Sequence, residues 1–164
     1  MNITVLGPGA WGTALAKLAV EAGHAVTIWG LTERLTTIRS AGENTEYLPG
    51  IRLPESLHFE EGLDLATAEA EGIILAVPSR SFRNVAAQLT SFDRLLVSVT
   101  KGIEHETGLT MGGILSQCAP SSTVAALSGP SLAVEVARGI PTALVCASSN
   151  SAAARTVQDW FHCP

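Results

Sequence analysis

The sequence predicts a single α/β domain with a doubly wound, mainly parallel sheet. Three observations support this prediction. Short apolar segments alternate with helix-like segments, the strand candidates are apolar at nearly every position, and a glycine-rich turn joins the first strand to the first helix. Strands that are apolar throughout are typical of parallel sheets buried on both faces. Alternation of strands and helices implies right-handed crossovers, and hence an open α/β sheet of Rossmann type.

The predicted strands are rich in Val, Ile and Leu, and they lie at residues 3–6, 25–29, 72–77, 95–99, 124–127 and 142–146. The predicted helices lie between and after them, at residues 11–22, 33–41, 80–90, 108–117, 131–137 and 152–161. The first helix places its apolar residues on one face, and Gly23 is expected to end it. Residues 44–57, which include Pro49, Gly50 and Pro54, predict a long loop of the kind that is often functional.

Composition limits the class of protein and its compartment. The chain has 164 residues, about one domain, and a net charge of −5. Nucleic-acid-binding proteins usually carry an excess of basic residues, so no nucleic acid is expected as a partner. No apolar run approaches the roughly 18 residues of a membrane span, and the N-terminus lacks the features of a signal peptide. Cys118, Cys146 and Cys163 form neither a disulfide framework nor a zinc pattern, which favours a reduced, cytoplasmic setting without a metal site.

A glycine-rich turn, Gly-Pro-Gly-Ala-Trp-Gly at residues 7–12, matches the pattern GxGxxG. It follows the first strand and opens the first helix, and the second strand ends near Trp29, which closes a βαβ unit of about 30 residues. We expect Gly7 to make the tight turn, Gly9 to let a pyrophosphate approach the backbone, and Gly12 to let the helix pack closely on the sheet. Free amide groups at the helix start would bind the phosphates. The turn predicts a dinucleotide site; the alternative is a turn that serves packing alone.

The end of the second strand leaves the coenzyme preference open. An NAD site normally has an Asp or Glu there to bind the ribose hydroxyls, whereas this chain continues with Gly-Leu-Thr-Glu-Arg at residues 30–34. Arg34 is placed to meet the 2′-phosphate of NADP, or else it is an exposed arginine on the second helix. We therefore expect NAD or NADP as cofactor, and Arg34 favours NADP. Trp11, inside the glycine-rich turn, is placed to cover the cofactor rather than to fill the core.

Three further segments fall at the carboxyl ends of predicted strands, where ligands bind in open α/β sheets. Ser79 follows the third strand and is predicted to cap the next helix. Lys101 follows the fourth strand, where it would meet a phosphate or polarise a carbonyl, or else is a solvated loop lysine. Gly129 and Ser131 flank Pro130, a residue type that suits the first position of a helix. They predict a second anion site at a helix start, or else a capped helix start without a ligand.

Taken together, these residues resemble the N-terminal domain of bacterial-type glycerol-3-phosphate dehydrogenase [NAD(P)+]. The similarity spans essentially the whole chain, and the matching segments are residues 5–16, 47–54, 76–79, 100–104 and 127–139. The last two read Thr-Lys-Gly-Ile-Glu and Leu-Ser-Gly-Pro-Ser-Leu-Ala-Val-Glu-Val-Ala-Arg-Gly. They are much more specific than the glycine pattern.

The resemblance implies a reversible hydride transfer between NAD(P)H and dihydroxyacetone phosphate, which gives sn-glycerol 3-phosphate for phospholipid synthesis. It implies contacts with the cofactor at Ala10, Trp11, Lys101 and Ala133. It also implies contacts with the substrate at Lys101, Gly129 and Ser131. These roles agree with the placement of the same loops at one edge of the predicted sheet.

Two departures from the family affect these expectations. Leu31 stands where the family usually carries a basic residue near the adenosine ribose, which leaves the coenzyme preference open. The family continues into a helical domain that supplies the lysine for proton transfer. Residues 1–164 are therefore expected to be an isolated NAD(P)-binding domain with no catalytic residue of its own and little turnover. Exposed apolar surface on such a domain favours self-association, so a homodimer is among the expected partners.

Two alternatives remain open at this point. The first is a free-standing NAD(P)-binding module that regulates or sequesters without catalysis. It would need the glycine-rich turn but would have no use for Lys101 or for the Gly129–Ser131 loop. The second is another two-domain dehydrogenase with a helical C-terminal domain, which would share the glycine-rich turn and act on a different substrate.

Overall fold

A computed structural model describes residues 1–161 of the chain. This part contains seven strands: β1 (Asn2–Leu6), β2 (Ala25–Trp29), β3 (His58–Glu60), β4 (Gly72–Leu75), β5 (Leu95–Ser98), β6 (Thr123–Ser128) and β7 (Val145–Ser148). It also contains seven α-helices: α1 (Ala10–Glu21), α2 (Thr32–Ala41), α3 (Leu63–Ala68), α4 (Ser79–Ala86), α5 (Met111–Cys118), α6 (Ala133–Ala137) and α7 (Ser151–Trp160). None of these helices combines the length and the apolar character that crossing a membrane requires.

The strands form one sheet in the order β3-β2-β1-β4-β5-β6-β7. Every neighbouring pair is parallel except β6 and β7, which are antiparallel. The strand order reverses between β1 and β4, and a doubly wound sheet opens its ligand crevice at the carboxyl ends of the strands at such a point. The predicted fold class, an α/β sheet of Rossmann type that is doubly wound and mainly parallel, is therefore confirmed.

Successive residues of the central strands supply two separate apolar clusters, one on each face of the sheet. In β1, Ile3 and Val5 belong to the cluster that includes Leu15 of α1 and Trp160 of α7. Leu6 belongs to the opposite cluster, which includes Phe82 of α4. The central strands are thus buried on both faces, which explains why their residues show no polar alternation.

The structure departs from the predicted elements near both edges of the sheet. The strand β3 and the helix α3 were not predicted. The last strand was predicted at residues 142–146 as part of a parallel series, whereas β7 spans Val145–Ser148 and runs antiparallel to β6. An apolar run specifies a strand but not its direction, which is set here by the antiparallel pairing of β7 with β6.

Two helix starts also differ from the prediction. Ser79 was predicted as a cap, but it is the first residue of α4; Pro78 occupies the cap position, and no side-chain cap bond forms there. A helix was predicted at residues 131–137, with Pro130 suited to the first helical position, but Leu132 is the N-cap of α6 and has an extended backbone. Residues 130–131 therefore belong to the loop that precedes α6. By contrast, Gly23 ends α1 as predicted, with a positive φ of 90°.

Candidate functional site

The glycine-rich turn packs against the end of β4. Gly7 has a φ of 115°, which favours glycine, and a Cβ there would lie 2.9 Å from the carbonyl of Ala76. A Cβ at Gly12 would lie 2.1 Å from the carbonyl oxygen of Gly7. A Cβ at Gly9, by contrast, would meet no heavy atom of the described residues within 4 Å. The first and third glycines are therefore required for packing, while the middle glycine borders open space.

The start of α1 leaves backbone donors available beside this open space. Gly9 is the N-cap, and no side chain of the described residues forms a cap hydrogen bond there. The first helical bond runs from the amide of Thr13 to the carbonyl of Gly9, at 2.9 Å. The amides of Ala10, Trp11 and Gly12 precede that bond and have no partner within the helix. Together with the helix dipole, such amides favour an anion at this end.

The loop of residues 44–57 is tied to the glycine-rich turn by Asn44. This side chain is buried, and its amide donates to the carbonyl of Pro8 at 2.9 Å and to the hydroxyl of Thr13 at 2.8 Å. Its oxygen accepts a hydrogen bond from the amide of Tyr47. The sequence predicted this loop but gave no signal that singled out Asn44, because its partners lie far away along the chain.

Beyond β2, Arg34 lies against the same loop. Its guanidinium stands 4.7 Å from the ring centroid of Tyr47, donates to the hydroxyl of that tyrosine, and lies 3.6 Å from the carboxylate of Glu46. The pKa of Tyr47 is raised, mainly because of its hydrogen bond with Glu46. Leu31 is the N-cap of α2 and is 71% exposed. The arginine is therefore anchored on one side, and a guanidinium with five N–H groups keeps further donors for another acceptor.

At the carboxyl ends of β5 and β6, the structure brings together four of the residues that the sequence singled out. A cleft of about 250 Å³, here called the Lys101 cleft, is lined by Trp11, Val99, Lys101, Leu127, Ser128, Gly129 and Ser131. Lys101 is exposed and has no carboxylate within ion-pair distance among residues 1–161, whereas Lys17 pairs with Glu21 at 2.6 Å. The cleft therefore offers a cation and hydroxyl groups beside an indole.

The loop between β5 and α5, residues 99–110, here called the Lys101 loop, is held by contacts that the sequence did not reveal. The hydroxyl of Thr100 donates to the carbonyl of Val77 at 2.7 Å. The guanidinium of Arg83 in α4 donates twice to the carboxylate of Glu104, at 2.7 and 2.6 Å. These bonds, together with a hydrogen bond from Thr107, lower the pKa of Glu104 to about 2. A charge-assisted bidentate pair therefore fixes the loop three residues beyond Lys101.

The second predicted anion site differs from the expectation. A Cβ at Gly129 would lie 2.7 Å from the carbonyl oxygen of Ala143. Glycine is therefore required here for close packing against the backbone at Ala143, and the residue also lines the cleft. Ser131 precedes the N-cap of α6, and its hydroxyl is not in the first turn of that helix. Ala133 begins α6 and packs with Trp11 around Ala14 and Leu48. Ser131 thus lines the Lys101 cleft from a loop rather than from a helix start.

Within residues 1–161, no group of three or more His, Cys, Asp or Glu side chains is arranged to hold a metal ion. Cys118 and Cys146 are free thiols. Cys163, which the sequence analysis considered with them, lies outside the described residues.

Comparisons with known proteins identify a family and solved structures that this chain resembles. The family described as NAD-dependent glycerol-3-phosphate dehydrogenase N-terminus matches residues 2–154. The chain is 43% identical over 164 residues to glycerol-3-phosphate dehydrogenase [NAD(P)+] of Corynebacterium glutamicum. This alignment covers 96% of this chain and 49% of that protein. The chain is also 43% identical over 169 residues to the enzyme of that name from Chlorobium luteolum, covering 99% of this chain and 51% of that protein.

Among solved structures, glycerol-3-phosphate dehydrogenase from Coxiella burnetii superposes with a TM-score of 0.92 at 30% identity. The superposition covers 99% of this chain and 51% of that one. The chain therefore spans about half the length of the relatives that it matches.

Proposed function

The chain belongs to the family of NAD-dependent glycerol-3-phosphate dehydrogenase N-terminal domains, and on that premise we propose that residues 1–164 form the coenzyme-binding domain of such an enzyme. The enzyme would transfer a hydride reversibly between NAD(P)H and dihydroxyacetone phosphate and so supply sn-glycerol 3-phosphate for phospholipid synthesis. The family match over residues 2–154 disfavours a two-domain dehydrogenase of another kind.

The observation that carries the proposal is the contrast among the three glycines of the turn. Gly7 and Gly12 are enclosed by the end of β4, whereas Gly9 borders open space at an uncapped helix start. A turn that served packing alone would have no need for this open position. We propose that the pyrophosphate of the coenzyme accepts hydrogen bonds from the amides that follow Gly9, at Ala10, Trp11 and Gly12.

The Lys101 cleft is the proposed place for the substrate and for the reacting end of the coenzyme. The coenzyme supplies the hydride when it is bound. Lys101 would attract the phosphate of the substrate or polarise its carbonyl, and the hydroxyl of Ser131 would hydrogen-bond to the substrate. Gly129 would contact the substrate from the same loop. The indole of Trp11 and the side chain of Ala133 would contact the coenzyme where α1 and α6 meet.

Residues 1–164 are proposed to bind these ligands with little turnover. The relatives are about twice as long as this chain. We propose that the lysine for proton transfer belongs to the part of the enzyme that this chain does not match. In the Lys101 cleft, the residues that carry a charge or a hydroxyl group are Lys101, Ser128 and Ser131. We assign Lys101 to substrate contact, so the cleft has no separate residue for proton transfer.

Both coenzymes are proposed to bind, and Arg34 favours NADP. The chain has no acidic residue at the end of β2, and the guanidinium of Arg34 keeps donors for a 2′-phosphate while it rests on Tyr47. The free thiols of Cys118 and Cys146 support a cytoplasmic setting. Self-association stays a prediction, for which the exposed apolar side chains of Leu132 and Val145 offer a surface.

A fluorescence titration with NADH and NADPH tests the proposal. Trp11 lines the proposed site, Trp29 lies at the end of β2, and Trp160 is fully buried. We expect saturable quenching in the native sequence, and a Trp11→Phe variant should lose much of that quenching while the emission of bound NADH still reports binding. If neither coenzyme binds, the proposal is wrong for this chain.

A further inference from the structure

The ring of Pro8 occupies the space that a side chain at Gly30 would need. Among the described glycines, Gly30 is the one whose Cβ would clash with a proline. A Cβ placed on Gly30 would lie 2.6 Å from Cδ and 2.7 Å from Cγ of Pro8. Real Cβ atoms essentially never approach other atoms within 3.0 Å. The backbone of Gly30 does not have the positive φ that would itself call for glycine. The ring of Pro8, and not the backbone conformation, therefore requires glycine at residue 30.

The pyrrolidine ring of Pro8 has little freedom to move away. Its backbone is fixed on one side by Gly7, whose amide donates to the carbonyl of Trp29 at 2.9 Å. On the other side, the carbonyl of Pro8 accepts the hydrogen bond from Asn44. The five-membered ring also fixes φ, so it cannot rotate out of the way as a flexible side chain would.

Gly30 follows Trp29, the last residue of β2, and stands beside the glycine-rich turn. In dinucleotide-binding folds the acidic residue that binds the ribose hydroxyls stands at this end of the second strand. The acidic residues around this end of β2 stand on other elements, and Glu60 of β3, opposite Trp29, accepts hydrogen bonds from the amides of Glu61 and Gly62. Glu33 lies in the first turn of α2, and the carboxylate of Glu61 accepts a hydrogen bond from the hydroxyl of Thr32 at 2.8 Å.

We infer that Pro8 is a specificity-determining residue, because its ring excludes every side chain, and with it a carboxylate, from residue 30. The inference rests on the proposed function, since it concerns the adenosine end of the same coenzyme site. A carboxylate at that point would bind the ribose hydroxyls of NAD and repel the 2′-phosphate of NADP. Its exclusion keeps the discrimination between the two coenzymes weak.

The test compares the native sequence with Pro8→Ala, Gly30→Asp and the double variant, each titrated with NADH and NADPH. Pro8→Ala should leave the ratio of the two Kd values unchanged. In the double variant, the affinity for NADH relative to that for NADPH should rise by about 10- to 100-fold, the range expected for hydrogen bonds to a charged group. Gly30→Asp alone should bind both coenzymes poorly or fail to fold, because Pro8 still occupies the required space.

A stability measurement keeps the test decisive where Gly30→Asp does not fold. Gly30→Ala introduces only a methyl group, and it should lower the Tm clearly when Pro8 is present and much less in the Pro8→Ala background. An equal loss in both backgrounds would overturn the inference. Glu33→Gln serves as the control carboxylate, and it should leave the Kd ratio unchanged; a shift would assign the ribose contact to Glu33 and also overturn the inference.

The outcomes separate the inference from the proposed function. A double variant that binds both coenzymes with the native Kd ratio would overturn the inference and leave the proposed function standing. A native chain that binds neither coenzyme would contradict the proposed function and, with it, the inference.

Discussion

The side chain of Asn44 donates a hydrogen bond of 2.8 Å to the hydroxyl of Thr13, and both residues are buried. The same amide donates to the carbonyl of Pro8 at 2.9 Å. One amide group thus links the loop of residues 44–57 to α1 and to the glycine-rich turn. The geometry of the turn depends on a residue that lies outside the glycine pattern.

Replacing Asn44 by alanine should destabilise the chain. The carbonyl of Pro8 and the hydroxyl of Thr13 would both stay buried without this partner, at a cost of about 1–3 kcal/mol in the free energy of unfolding. Urea denaturation measures this loss. The matched control is Asn84→Ala, at an exposed position in α4, which should change the free energy by less than about 0.5 kcal/mol. Equal effects of the two variants would contradict this account of Asn44.

Substitutions at Gly12 and Gly9 should affect stability and coenzyme binding separately. Gly12→Ala should lower the free energy of unfolding by about 1–3 kcal/mol or prevent folding, because its Cβ would overlap the carbonyl of Gly7. Gly9→Ala should leave the Tm nearly unchanged, because its Cβ would meet only open space, yet it should weaken the binding of NADH and NADPH. Thermal unfolding and coenzyme titration of both variants test this. A Gly9→Ala variant that binds as well as the native chain would contradict a pyrophosphate site there.

The sequence was sufficient to predict the centre of the fold and the edge where the candidate site lies. The apolar runs of β1 and β2 and the glycines between them allow few alternatives, because a parallel βαβ unit is right-handed. Parallel strands then bring their carboxyl ends to one edge of the sheet. Lys101 and Gly129 were expected at that edge for this reason, and both line the Lys101 cleft.

The remaining features depend on tertiary contacts that a sequence pattern does not contain. The direction of β7 is set by its pairing with β6, in which Ser128 lies opposite Val145. The ion pair of Arg83 and Glu104 joins residues on different elements, and neither the residue types nor their spacing in the sequence predicts it. A proline such as Pro130 is compatible with a first helical position but does not require one, so the start of α6 could not be fixed in advance.

Lys101→Ala should weaken the binding of sn-glycerol 3-phosphate to the coenzyme-loaded chain without loss of stability. The expected loss of affinity is about tenfold or more, because a charge-assisted contact to a phosphate would be removed. Lys17→Ala is the matched control, since it removes the other lysine, which pairs with Glu21 one turn along α1. Calorimetric titration distinguishes the two variants. If both bind coenzyme and glycerol phosphate as the native chain does, Lys101 has no part in a substrate site.

Glu104→Gln should reveal the contribution of the Arg83 pair through its dependence on pH. The pKa of Glu104 is lowered from 4.5 to about 2 in the folded chain, mainly by the hydrogen bonds from Arg83. A carboxyl group whose pKa is lower in the folded than in the unfolded state stabilises the fold above the unfolded pKa. This stabilisation is lost as the pH falls through the folded pKa. The Tm difference between the native chain and Glu104→Gln should therefore be full at neutral pH and shrink between pH 4.5 and about 2.

Glu106→Gln, which removes an exposed carboxylate from the same loop, is the control for this pH series and should follow the native chain throughout. A Tm difference for Glu104→Gln that stayed constant with pH would show that the charge of Glu104 does not stabilise the fold. Because Glu104 lies three residues beyond Lys101, the same variant should also weaken glycerol phosphate binding at neutral pH while coenzyme binding persists. Loss of both bindings together would instead indicate that the pair supports the whole domain and not the Lys101 loop in particular.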